Sequence, residues 1–112
     1  MFAQKNRLKN EKDIKTTFSK GKSVYDSVCG IKWRQNGLEG SRFAVVIGTK
    51  GRKSAVTRNR YRRQYREMLK ELLPEFKLRA DVLLLVSKKV LETTPAERKE
   101  KLGAVLKKAG IL

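Results

Sequence analysis

At 112 residues the chain is long enough for one domain with a modest core and too short for two. Its 28 Lys+Arg against 11 Asp+Glu, with no His, give a formal charge of +17, more than solubility needs, and this excess calls for a polyanionic partner, a nucleic acid above all. A lone cysteine, Cys29, excludes an internal disulfide and a Cys/His zinc site, and with no signal-peptide core and no membrane-length apolar run the sequence predicts a cytoplasmic protein that meets no membrane.

Residues 1–9 are polar and basic around isolated Phe2 and Leu8 and read as a flexible lead-in. Asn10 is placed to cap a helix over 11–19, with Ile14 and Phe18 four apart on one face and Gly21 beyond the end. Spacing alone assigns Phe18 to the core. From Ser23 to Arg34 the period becomes two, with Cys29, Ile31 and Trp33 on one side and Gly30, Lys32 and Arg34 on the other, which predicts a strand with one wet face. Asn36-Gly37 and Glu39-Gly40 then predict a turn into a second strand over 42–48, the two forming an antiparallel hairpin. Trp33 reads first as packing and second as a platform for a base.

Thr49-Lys50-Gly51-Arg52-Lys53 is a basic loop running into Ser54, a residue fit to cap a helix. Its amides and that helix N-terminus suit a phosphate, with Lys50, Arg52 and Lys53 adding charge, but the GxxxxGK[ST] spacing of a nucleotide-hydrolysing loop is missing. A long helix is predicted over 55–73, stopping before Pro74, with Tyr61, Tyr65, Met68, Leu69 and Leu72 on one stripe. Arg58, Arg62 and Arg66 form a row spaced by four on a neighbouring face, flanked by Asn59 and Arg63; left in water such a row is destabilising, so it predicts bound phosphates. Glu67, Glu71 and Glu75 make a second row, read as solvated partners of Arg63, Lys70 and Lys77 rather than a metal or acid/base site. The apolar run Ala80–Val86 predicts a strand covered on both faces. Thr94, Pro95 and Glu97 announce a last helix, whose apolar face is Leu102, Val105, Leu106 and Ala109 and whose end is Gly110.

Three stretches resemble the bacterial ribonuclease P protein family: Arg7-Leu8-Lys9 through Asp13 and Phe18 to Gly21-Lys22-Ser23-Val24; Ala55-Val56-Thr57-Arg58-Asn59-Arg60 with Arg62, Arg63 and Arg66; and Asp81-Val82 onward. The resemblance spans the whole chain as a single domain. It implies a small two-layer α/β (α+β) sandwich, with a mixed sheet of about four strands, three helices and a left-handed βαβ crossover, against the usual right-handed rule. It also implies a protein that binds a catalytic RNA, one to one, and aids removal of the 5′ leader from precursor tRNA, with Mg²⁺ held mainly by the RNA. Lys50, Arg58, Asn59, Arg60, Arg62, Arg63 and Arg66 match the family's RNA-facing residues, to which charge adds Arg52 and Lys53. Phe18 matches its leader-binding cleft, in which Ile14, Lys32 and Trp33 are also expected to lie. The family usually carries aromatics where this chain has Ile14, Cys29 and Lys32; Tyr25, Trp33 and Phe43 are the candidates to replace them.

With no His and scattered carboxylates, the chain lacks an acid/base pair for phosphodiester cleavage, in keeping with chemistry done by the RNA partner. A ribosomal or other structural RNA-binding protein is the alternative that shares the charge.

Overall fold

The computed structural model describes residues 6–38, 40–47 and 55–112. Helix α1 (Glu11–Lys20) precedes strands β1 (Lys22–Tyr25), β2 (Cys29–Gln35) and β3 (Arg42–Ile47); α2 (Ala55–Leu72), β4 (Ala80–Val86) and α3 (Pro95–Lys108) follow, with short 3-10 turns at Leu73–Glu75 and Lys88–Glu92. The caps fall where the sequence places them. Asn10 accepts the Lys12 and Asp13 amides, and Thr94 and Glu97 close a capping box with Pro95 in the first turn. Pro74 lies in the 3-10 turn after α2, since it can neither donate nor fit inside an α-helix.

Strand order is β1-β2-β4-β3, with β2 antiparallel to both β1 and β4, and β3 parallel to β4. Two sequence expectations change here. The strand predicted over 23–34 is itself a hairpin, because the Asp26 carboxylate accepts the Val28 amide at 3.1 Å and the Asp26 amide donates to the Cys29 carbonyl at 2.8 Å. The hairpin predicted between that segment and 42–48 does not form, because β4 lies between β2 and β3. The run of β4 is apolar on both faces, and only a central position covers both. The connecting segment bends around the end of β4 accordingly: the Asn36 amide donates to the Arg79 carbonyl at 3.2 Å, and the Ser41 hydroxyl donates to the Leu78 carbonyl at 3.2 Å while accepting the Ala80 amide at 3.0 Å.

The lead-in is also not free over its described part. The Leu8 amide donates to the Phe43 carbonyl at 2.8 Å, the Asn6 side chain donates to the Ser41 carbonyl at 2.9 Å, and both residues are buried. Residues 6–8 thus lie along the outer edge of β3, with Arg7 bridging Phe43 in parallel.

The register sorts the sheet into two faces. On one, Cys29, Ile31, Trp33, Val82, Leu84, Val86, Phe43, Val45 and Ile47 pack with Tyr65 and Leu69 of α2 and with Leu102, Val105 and Leu106 of α3. Arg98 of α3, itself buried, lies 5.1 Å from the Tyr61 ring centre and donates to the Thr93 carbonyl, bracing the two helices. The other face carries α1 alone. Asp13 of α1 pairs with Arg42 at 3.3 Å, and Arg42 forms a two-pronged ion pair with buried Asp81, Nε to Oδ1 at 2.8 Å and Nη2 to Oδ2 at 2.6 Å. The helix ends against β2 at Gly21, where a Cβ would fall 2.9 Å from the Trp33 carbonyl oxygen.

Cys29 is 1% exposed, and burial, with the nearby Asp26 charge adding to it, pushes its thiol up to about 12. Alkylation of the native protein at pH 8 is therefore expected to be slower than in denaturant on the order of a thousandfold. Comparable rates in the two states, read by mass spectrometry, would show this part of the core to be open.

Candidate nucleic-acid interface

The stripe predicted for α2 is the one it buries. Tyr65 and Leu69 are fully enclosed, and Tyr61, Met68 and Leu72 pack at the margin. With ~100° between residues, Arg62, Arg66, Asn59, Arg63 and Arg60 follow one another around the remaining arc. Asn59, Arg60 and Arg63 are exposed and Arg58, Arg62 and Arg66 partly so. Asn59 accepts from Arg62 Nη1 at 3.0 Å, which orients that guanidinium. The arginines divide between two flanks. Arg60 and Arg63 line a groove of about 580 Å³ with Gln64, Met68 and the start of α3 at Pro95 and Ala96. Arg62 and Arg66 lie on the other flank, toward Arg7 of the N-terminal segment. Burial, together with the charges of Arg7 and Arg62, lowers the pKa of Arg66, and the Arg7 Nε is buried without a hydrogen-bond partner.

Arg7 is thus a member of the basic surface that the candidate residues above omit. Its place depends on strand-edge pairing with Phe43, a contact between distant parts of the chain that no local pattern announces. Lys50, Arg52 and Lys53 lie outside the described residues. The acidic row of α2 is solvated: Glu71 is exposed and pairs with Lys99 of α3 at 3.1 Å, not with the lysines of its own helix.

The second candidate surface is the part of the sheet that α1 leaves open. Phe18 is 53% exposed and not core. Lys32, from the wet side of β2, stands over it, with Nζ 3.9 Å from the ring centre and 3.2 Å from the Phe18 carbonyl oxygen. Ile14 is partly buried on the same helix. Trp33 departs from the cleft expectation: it is 6% exposed, faces the α2/α3 side, and offers no ring to a base. Phe43 is likewise in that core, its ring edge-on to Phe76 at 5.4 Å. Both follow from strand parity, since residues alternating with Lys32 and Ala44 must point the other way.

Among the described residues no three His, Cys, Asp or Glu side chains gather as a metal site, and no helix is long and apolar enough to cross a membrane.

Known proteins share this fold. The family model for Ribonuclease P matches residues 2–110. The ribonuclease P protein component of Syntrophomonas wolfei is 27% identical, over 99% of this chain and 92% of its own length. That of Thermotoga maritima is 30% identical, over 81% of this chain and 77% of its own length. The solved structure of the Thermotoga maritima RNase P protein superposes with a TM-score of 0.82 at 26% identity, covering 91% of this chain and 96% of that one. A Staphylococcus aureus RNase P protein mutant superposes with a TM-score of 0.89 at 24% identity, covering 97% and 92%. The family match over nearly the whole length, on a chain with this sheet order and this arginine-bearing helix, places the protein in the bacterial ribonuclease P protein family.

Proposed function

We propose that the arginine arc of α2, extended by Arg7, anchors this chain to the RNA subunit of ribonuclease P, while the open sheet face beside α1 holds the 5′ leader of precursor tRNA. The chain is the protein subunit of that endoribonuclease and serves 5′ processing of precursor tRNA. One observation carries the division of labour: the cationic arc belongs to a helix on one side of the sheet, and the exposed Phe18 with its lysine lies on the other. A polyanion bound at the first surface leaves the second free for substrate.

The protein's part is then electrostatic and positional. Its guanidinium groups neutralise RNA phosphates, and its cleft orients a single strand by charge and stacking. Among the described residues no three carboxylates gather, and buried Asp81 is held by Arg42. The Mg²⁺ that activates water for cleavage belongs with the RNA in this reading. Binding is one protein per RNA, in the cytoplasm where precursor tRNA is made.

Reconstitution at limiting Mg²⁺ tests the proposal, with protein alone, RNA alone and the two together. Only the mixture should show a rise in precursor cleavage. A mixture no faster than RNA alone would favour the structural RNA-binding alternative, and cleavage by the protein alone would overturn the assignment of chemistry to the RNA.

A further inference from the structure

Arg60 and Arg63 serve two surfaces at once. Both are exposed members of the basic arc of α2, and both line the groove of about 580 Å³ that opens between that helix and the start of α3. Its volume falls in the roughly 300–1,000 Å³ range of small-ligand sites, which are apolar with a few polar groups that fix orientation. Met68, Pro95 and Ala96 give this groove apolar walls, and Gln64 is the uncharged polar side chain in its lining. The Gln64 Oε1 is shut off from solvent and has no hydrogen-bond partner among the described residues. An acceptor withdrawn from water without a donor destabilises the fold that holds it, until a ligand supplies one.

On the reading of the α2 arc as the RNA anchor, we infer that this groove receives one unstacked adenine of the ribonuclease P RNA, with Gln64 turning its amide onto the base edge and Arg60 and Arg63 holding the flanking phosphates. The charge around the groove selects a base as the part of the RNA that enters. Glu67 and Glu71 line it too, so a phosphodiester drawn inside would meet like charge, whereas a neutral base with an amino group would meet acceptors. Lys99 of α3 pairs with Glu71 at 3.1 Å and so ties the two walls together. The phosphates stay at the rim, on the guanidinium groups. Among the bases, adenine matches the amide: Nε2 donates to N7 while Oε1 accepts from the N6 amino group. Unpaired bases of RNA loops and bulges are splayed out and read in this way, along an edge and between apolar or planar walls. The arc by itself fits any phosphate backbone; a base in the groove sets the register of the helix on one RNA.

The experiment is analogue interference in binding. Full-length ribonuclease P RNA carrying 7-deazaadenosine at scattered positions, each marked by a cleavable phosphorothioate, is partitioned into protein-bound and free fractions. With wild-type protein, one unpaired adenosine should be depleted from the bound fraction when its N7 is missing. With Gln64→Leu, which keeps the side chain's size and helix propensity but cannot pair, that depletion should vanish, and affinity for unmodified RNA should fall roughly five- to hundredfold. Across a salt series the Gln64→Leu line should run parallel to wild type, because no phosphate contact is lost, whereas Arg60→Ala should reduce the slope by about one. Ala96→Trp, which fills the groove from α3 and leaves Gln64 in place, should give the same loss of affinity and of interference, with circular dichroism of both free variants reading the fold. The same interference pattern for wild type and Gln64→Leu, or full affinity in both groove variants, overturns the inference. So does a loss that comes with a reduced salt slope, since the groove would then hold backbone. If Arg60→Ala and Arg63→Ala change neither affinity nor slope, it is the reading of the arc as the anchor that fails.

Discussion

Affinity for the ribonuclease P RNA is expected to fall by about 10³ to 10⁵ as monovalent salt rises from about 50 to 200 mM, the loss that follows when about six to ten cations displace condensed counterions. In the proposed anchoring, Arg7, Arg58, Arg60, Arg62, Arg63 and Arg66 would supply the described share of those contacts. Replacing Arg60, Arg62 and Arg63 by alanine should lower affinity at every salt concentration and flatten the plot of log K against log salt by about three. The fold should survive, because these side chains lie off the Tyr65 and Leu69 stripe and alanine is the strongest helix former. Filter binding across a salt series, with circular dichroism of the free variant, checks both halves. A nearly salt-independent affinity would sink the electrostatic anchor. Loss of the helix in the free variant would show the arginines to be structural.

The second large effect lies at Asp81, the buried carboxylate beneath α1. It accepts Nε and Nη2 of Arg42 and also the Asn36 side-chain amide at 2.9 Å. The hydrogen bonds from Arg42 to Asp81 are the main reason the guanidinium pKa is raised, with burial opposing. Asp81→Ala would leave Arg42 only the half-exposed Asp13, and breaking a buried pair from one side costs about 3–5 kcal/mol. For a domain of this size that is roughly 12 °C or more in Tm, a large fraction of a total stability of about 5–15 kcal/mol. The double variant Arg42→Met/Asp81→Leu should recover most of the loss, because no unpaired charge remains. Thermal unfolding of the three proteins decides it; a single variant within about 1 kcal/mol of wild type would mean that water already reaches the pair. Because Arg42 also holds Asp13, Asp81→Ala should loosen α1, a wall of the proposed leader cleft, and so weaken precursor binding before it weakens the proposed RNA anchor.

Local patterns were legible to the extent that local forces make them. Asn10, Thr94 and Glu97 cap because their side chains reach amides two or three residues away, and the Tyr65–Leu69 stripe is buried because helical periodicity leaves it no other face. The pairing of strands was not legible in the same way. The hairpin expected between 23–34 and 42–48 rested on turn residues, yet Asn36 and Ser41 use their hydrogen bonds to wrap the end of β4. A strand that is apolar on both faces competes for the centre of the sheet and wins by the area it buries. Phe18 shows the same limit from the other side: spacing assigned it to the core, but α1 stands alone on its face and leaves the ring half in solvent.

What the sequence determined by itself, then, is the chemistry on offer: a charge of +17, an arginine arc opposite an apolar stripe, no histidine, and motifs of one RNA-binding family. Tertiary structure alone decided where that chemistry points. The parity of β2 and β3 sends Trp33 and Phe43 inward, the Asp26 turn brings Tyr25 onto the face of Lys32, and the edge of β3 carries Arg7 toward Arg66. Each of these depends on register between segments far apart in the chain, and a one-residue change of register would reverse every side chain it governs.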